Sequence, residues 1–330
     1  MIPLDEIRQA RRRIEGSALR TPLVPLNAPE RGLAAFLKLE CLQPIGSFKI
    51  RGATNAMACM DPRELARGVL TASAGNMAQG VAWRARALGI PATIVAPDTA
   101  PRAKLDAIER LGGRIILAPF ERWWQTFQER SYPGVDAVFV HAFEDPRVMA
   151  GNGTIGLEIL EDLPDVDAVI VPWGGGGLAC GIASAVKALR PACRVYAAEV
   201  ATAAPLAASW SAGTPQTVDY TPSFVDGIGS RSVFPSMLAR AREGSLIDGV
   251  LVADLTEVAA AVRLLAERQH VVAEGAGACA LACALRHFGP DPSPAATGTP
   301  PVPGSKVACI VSGGNIDAAK LATILEGGLP

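Results

Sequence analysis

Short apolar runs alternate with helix-length segments along nearly the whole chain, and this alternation constrains the fold more than any other feature. Residues 36–39, 68–72, 92–96, 114–117, 137–140, 168–171, 194–198 and 307–311 each read as a brief strand rich in Val, Ile, Leu and Ala. Between several of them lie helical stretches, among them 49–60, 101–111, 178–189 and one ending near 88. Strands that are apolar on both faces and separated by helices are the pattern of a parallel sheet covered on both sides. The fold class expected is therefore α/β.

Composition narrows the classes further. Lys and Arg number 31 against 32 Asp and Glu, a formal net charge of -1, so no basic surplus exists for a nucleic-acid or membrane surface. Hydrophobic residues at 49% with 19% charged exclude a disordered chain, and 330 residues suggest two domains. Seven Cys, an odd number without any CxxC pair, argue against a disulfide framework. His141, His270 and His287 are scattered, so no zinc constellation forms. The first 20 residues are charged and lack the apolar core of a signal peptide, which makes the cytoplasm the default address. Ile2, Leu4, Ile7, Ile14 and Leu19 fit a loosely amphipathic helix there. Residues 290–304, with six prolines and only Asp291 charged, read as an exposed loop of disorder-favouring composition.

Four turns carry candidate chemistry. Gly174-Gly175-Gly176-Gly177-Leu178 follows the strand 168–171 and opens a helix, so its N–H groups can converge on a phosphate. Neither a Walker A loop nor the dinucleotide fingerprint fits, because no GK[ST] follows and Cys180 stands where the third glycine belongs. Ser73-Ala74-Gly75-Asn76-Met77 also joins a strand to a helix and can hold a carboxylate, although an ordinary N-cap explains the same residues. Lys49, in Gly46-Ser47-Phe48-Lys49, lies in the first turn of its helix, where the macrodipole disfavours an ammonium. A lysine of lowered pKa is what an imine-forming amine needs, while most lysines are merely solvated charges. Ser312-Gly313-Gly314-Asn315 closes the last apolar strand and again reads as an anion-holding or capped turn.

Taken in order, these segments with Lys38-Leu39-Glu40, Arg51-Gly52-Ala53 and Gly151-Asn152-Gly153 resemble the fold-type II pyridoxal-phosphate enzymes, and among them the threonine/serine dehydratases and serine racemases. The match runs from about Thr21 to Asp317. The resemblance implies two open, twisted, mostly parallel sheets flanked by helices, as in the tryptophan synthase β-like fold. It implies a large cofactor-binding domain, 1–49 and 145–330, and a small domain, 50–144, carrying the asparagine loop, with no C-terminal regulatory domain. Lys49 is then the amine that holds pyridoxal 5'-phosphate and later takes the substrate's Cα proton. Phe48 packs against the ring, Asn76 bonds the ring oxygen, Ser312 faces the ring nitrogen, Glu274 lies near the cofactor, and Gly174 to Leu178 cradle the phosphate. Ser73, Ala74, Gly75, Asn76 and Met77 bind the substrate carboxylate, and Phe143 lines the pocket.

The same resemblance implies an α,β-elimination that turns a β-hydroxy-α-amino acid such as L-threonine or L-serine into a 2-oxo acid and ammonia, with the phosphate protonating the leaving hydroxyl. Racemase-type members carry a second Ser where this chain has Ala74, which favours elimination. Met77 stands where His is usual and makes that wall more apolar. Trp123, Trp124 and Phe127, at helical spacing, either pack ordinarily or widen the pocket for a substrate such as 3-phenylserine; 3-hydroxyaspartate is a further option. Racemisation and non-catalytic cofactor binding complete the alternatives. Family members with a cation site match at Glu199 and the Ala203 carbonyl, but their third ligand falls on Pro205, so no high-affinity metal is expected. The expected partner is a small amino acid, neither nucleic acid nor membrane, and the expected assembly is a homodimer.

Overall fold

Residues along the central strands are apolar in both alternating sets, and each set buries against a different helical layer. In the strand Ala168–Pro172, Val169 and Val171 join one core cluster while Ala168 and Ile170 join the other. Val307–Ile310 divides the same way, with Ala308 and Ile310 on one face and Val307 and Cys309 on the other. Side chains alternate across a strand, so this pattern requires helices on both faces.

The computed structural model describes residues 1–294, 297–302 and 304–330. Its strands in chain order are β1 (Leu23–Pro25), β2 (Ala35–Lys38), β3 (Val69–Ala72), β4 (Ala92–Pro97), β5 (Arg114–Ala118), β6 (Val138–Phe139), β7 (Ala168–Pro172), β8 (Arg194–Val200), β9 (Gly249–Ala253), β10 (Thr297–Gly298) and β11 (Val307–Ile310). They form a seven-stranded sheet ordered β1-β2-β11-β7-β8-β9-β10 and a four-stranded sheet ordered β5-β4-β3-β6. All pairings are parallel except β1 with β2 and β9 with β10, at the two edges of the large sheet. The α/β class and the two mostly parallel, helix-flanked sheets expected from the sequence are what the chain forms.

Differences lie at edges and ends. β9 is an apolar strand absent from the reading above. The 290–304 segment is not wholly irregular, because Thr297-Gly298 pairs antiparallel with Val250-Gly249. Arg194 Nη1 and the Tyr196 hydroxyl both donate to the Pro300 carbonyl, at 2.7 and 3.1 Å. Backbone pairing holds this stretch, and composition does not report that; Ala295, Ala296 and Pro303 lie outside the described residues. The N-terminal helix Leu4–Ile14 buries Ile7, Ala10 and Ile14 as its stripe predicts, whereas Leu19 lies beyond the helix and is exposed. Gly151-Asn152-Gly153 sits inside the long helix Pro146–Asp162. No helix among the described residues is long and apolar enough to cross a membrane.

A buried ionic cluster fixes the helix that begins at Lys49. Arg51 contacts Glu40 at 2.8 Å and Glu158 at 2.6 Å, and Lys38 meets Glu158 at 2.6 Å, all four side chains being shielded from water. Two cations face two anions, and Thr21, Thr154 and the Leu19 carbonyl satisfy further valences. Burial pushes the Glu40 carboxyl up, but the Arg51 guanidinium beside it prevails and holds it below its usual value. The cluster ties β2 and helix Pro146–Asp162 to the start of helix Lys49–Ala58.

Candidate active site

Open α/β sheets place ligands beyond the carboxyl ends of their strands, and here both sheets do so at one cleft. Ser73 follows β3, Pro97 ends β4, Ala142 follows β6, Gly174 follows β7 and Ser312 follows β11; all border a cavity of about 410 Å³. Every cofactor and substrate candidate named from the sequence lines it: Phe48, Lys49, Ser73 through Met77, Phe143, Gly174 through Leu178, Glu274 and Ser312. The volume is that of an ordinary small-molecule site.

Lys49 is the first residue of helix Lys49–Ala58, and its Nζ donates to the Ala142 carbonyl at 2.9 Å. The turn presenting that carbonyl is organised by His141, whose Nδ1 accepts from the N–H of Phe143 (3.2 Å) and of Glu144 (2.8 Å). Burial, with Arg130 nearby, lowers the His141 pKa to about 4, which keeps the accepting ring neutral. Burial likewise brings Lys49 down to about 8, with Glu274 opposing weakly. Glu274 is pushed up to about 7 by burial and by the charge of Asp226. Two groups that titrate near neutrality therefore share the cleft.

Two helix N-termini open into it without side-chain caps. Gly75 precedes helix Asn76–Leu88 and Gly176 precedes helix Gly177–Leu189. The capping alternative for Ser73 resolves locally, since its Oγ accepts only from Gly75 N–H, at 3.2 Å, and Asn76 is itself the first helical residue. Free N–H groups with a helix dipole behind them suit anions. Gly175, Gly176 and Gly177 have no room for side chains. Gly176 has φ of 87°, and a Cβ on Gly175 would stand 2.2 Å from the Phe143 ring. Such a cradle fits a phosphate, the second open turn fits a carboxylate, and Lys49 stands beside both as an amine of lowered pKa. The residues present therefore fit pyridoxal phosphate.

Two sequence motifs that lie far apart prove to be one structure. Gly314 N–H donates to the Gly46 carbonyl at 2.8 Å and Phe48 N–H to the Ser312 carbonyl at 3.0 Å, so the last turn is laced to the segment leading into Lys49. The aromatic helix Phe120–Glu129 divides its residues between both roles foreseen for them. Trp123 lines the cavity, whereas Trp124 and Phe127 stack on each other at 5.5 Å and meet Phe234 across the cleft. Sequence reasoning did not find Lys104 and Asp226, which pair at 2.9 Å on the cavity wall, or the contacts of Asn315. Glu199 and Ala203 lie outside the cavity. Both Glu199 oxygens accept N–H groups, from Leu206 and Ala207, at the start of helix Pro205–Ala212. No group of three or more His, Cys, Asp or Glu among the described residues could hold a metal.

A half-buried amine between two mostly parallel sheets, beside open anion-binding turns, defines an enzyme site built around a phosphorylated aldehyde cofactor. The chain belongs to the pyridoxal-phosphate dependent enzyme family, whose model matches residues 14–297. It is 40% identical to the L-threonine ammonia-lyase of Thermotoga maritima over 336 aligned positions, covering 100% of this chain and 79% of that protein. Among solved structures it resembles maize serine racemase at TM-score 0.86 and 35% identity, covering 98% of this chain and 97% of the other. The processed form of threonine deaminase isoform 2 from Solanum lycopersicum matches at TM-score 0.82 and 31% identity, over 98% and 93% of the two chains.

Proposed function

We propose that this protein is a pyridoxal-phosphate dependent ammonia-lyase that converts a β-hydroxy-α-amino acid such as L-threonine or L-serine into the 2-oxo acid and ammonia. The observation that carries the reading is Lys49, an amine lowered to about 8 and facing a cavity with two open helix N-termini. The proposed domains are 1–49 with 145–330 and 50–144. The proposed setting is a cytoplasmic homodimer whose partner is a small amino acid.

The bound cofactor supplies an electron sink for the pair left behind when the substrate Cα loses its proton and, as the resemblance implies, the phosphate proton with which the β-hydroxyl leaves as water. The chain supplies the binding groups and the Cα base. The glycine turn, from Gly174 into the first turn of helix Gly177–Leu189, holds the phosphate; Ser73 and the N–H groups of the 74–77 turn hold the substrate carboxylate. Asn76 and Ser312 fix the ring oxygen and ring nitrogen, and Phe48 packs beside the ring. Lys49, neutral in an appreciable fraction near pH 8, accepts the Cα proton on Nζ. Ala74 offers no hydroxyl that could return a proton from the opposite face, so loss of the β-hydroxyl as water is favoured over racemisation. The released enamine product hydrolyses to the 2-oxo acid and ammonia.

Ammonia release from L-threonine, L-serine, 3-phenylserine and 3-hydroxyaspartate tests the reading, with Lys49→Ala as control. Trp123 and Met77 both line the cavity, which supports 3-phenylserine as the second substrate reading. Turnover of at least one member is expected, and none with Lys49→Ala. D-serine forming from L-serine faster than pyruvate would overturn elimination as the main reaction. Cofactor absorbance without ammonia from any substrate would make the protein a binder only.

A further inference from the structure

Three of the segments singled out in the sequence meet at one side chain, Asn315. Its Nδ2 donates to the Ile45 carbonyl at 2.9 Å and to Asn76 Oδ1 at 2.7 Å. Asn76 Nδ2 in turn donates to Glu274 Oε1 at 2.8 Å. A backbone carbonyl can only accept, so the Ile45 contact determines which end of the Asn315 amide is the NH2. That nitrogen also faces Asn76, so the Asn76 atom it meets must be the oxygen. The NH2 of Asn76 is thereby turned the other way, toward Glu274 and the cavity. The donors run in one direction, from Asn315 through Asn76 to Glu274. The backbone holds Asn315 in place, because Gly314 N–H is bonded to Gly46, and Gly46 adopts φ of 71° with room for no Cβ, which would stand 2.7 Å from Asn315 Oδ1.

We infer that Asn315 is a positioning residue that sets the amide orientation of Asn76, so that an NH2 rather than an oxygen faces the ring oxygen of bound pyridoxal phosphate. The inference rests on Asn76 as the ring-oxygen partner and is independent of which reaction the enzyme runs. The ring oxygen is an acceptor; a donor opposite it binds, whereas an amide oxygen opposite it repels. Asn315 itself is exposed and does not line the cavity, so it acts through Asn76.

The test compares Asn315→Ala with Asn315→Asp in holoenzyme and in cofactor titrations read by protein fluorescence quenching and by the visible absorbance band. Alanine removes the orienting donor. Aspartate puts an acceptor there, so Asn76 must turn its NH2 toward residue 315 and its oxygen toward the cofactor. Cofactor affinity is expected to fall about threefold with Ala and about tenfold further with Asp, the span of a hydrogen bond lost against one reversed, and the absorbance band should shift most with Asp. Both effects should vanish in an Asn76→Ala background, where no amide remains to orient. Equal losses for Ala and Asp, a loss that persists in the Asn76→Ala background, or an unchanged affinity in Asn76→Ala itself would each overturn the inference. If Asn315→Asp does not fold, the Ala change made with and without Asn76→Ala decides by the same criterion. Absence of ammonia release would count against the lyase reading and leave these cofactor readouts intact.

Discussion

Lys49 and Glu274 stand in the same cleft, and burial moves both toward neutrality from opposite sides, to about 8 and about 7. For Lys49 the consequence is kinetic. The neutral amine attacks an aldehyde, so cofactor-free protein should combine with pyridoxal phosphate at a rate that climbs with pH and levels above about 8, instead of following the 10.5 of a free lysine. Stopped-flow absorbance measures this, and a limb centred near 10.5 would mean that Lys49 is solvated. For Glu274 the consequence is thermodynamic. Its folded pKa is raised from 4.5 to about 7, so its contribution to stability is fully present below 4.5 and is lost as pH rises through 7. Glu274→Gln in the cofactor-free protein should therefore gain melting temperature relative to the parent progressively between those pH values. A difference that stays flat across that window would show that Glu274 is not desolvated. Burial raises Glu199 as well, but it is present in both proteins and cancels from the comparison.

At the scale of elements, the glycine turn and the ionic cluster make opposite demands, one for empty space and the other for full occupancy. Gly176→Ala places a side chain at φ of 87° and 2.5 Å from the Trp173 ring, a strain of about 1–3 kcal/mol. Cofactor affinity should fall about tenfold or more, measured by fluorescence titration. Gly175→Ala should do the same through its clash with Phe143, and Phe143→Ala in that background should restore part of the loss. Removing one partner of the buried cluster, as in Arg51→Leu, leaves Glu40 and Glu158 without their shared cation and should cost about 3–5 kcal/mol in denaturant unfolding. These elements were unequally legible. The strands β3, β4, β7, β8 and β11 announce themselves because both faces are buried, so each reads as a nearly continuous apolar run, with only Thr71, Thr93 and Glu199 as buried polar residues among them. β1 and β10 escape because they are two or three residues long and pair antiparallel at sheet edges through backbone groups alone. Lys49, the 73–77 turn and the glycine run are legible because turn chemistry is local. The Lys104–Asp226 pair and the partners of Asn315 are not, since those contacts join residues 122 and 239 apart in sequence.

The whole molecule is two sheets whose strand ends meet at one cavity, and what joins them bears on how the site closes. Lys104 with Asp226, Asn76 with Asn315, and Ser236 with Glu144 are polar ties from the small-sheet side to the large. One apolar tie is Phe234, whose ring lies 5.9 Å from Trp124, 6.1 Å from Phe127 and 5.1 Å from Phe143. Phe127 in turn packs on His141, 4.5 Å away, whose Nδ1 organises the turn that offers the Ala142 carbonyl to Lys49. A contact between layers is thus continuous with the surroundings of the reactive amine. Phe234→Ala should cost about 1–2 kcal/mol, less than the ~3–5 of a fully enclosed phenylalanine because this ring is only half-buried. Because the lost contact lies between the layers, the loss should be local. Hydrogen exchange should quicken over 120–129 and 141–144, and stay at the parental rate over β11, an interior strand of the large sheet. Exchange that rises equally in both places would mean that the two layers open together, and that Phe234 stabilises the fold without separately tethering the small sheet to the amine.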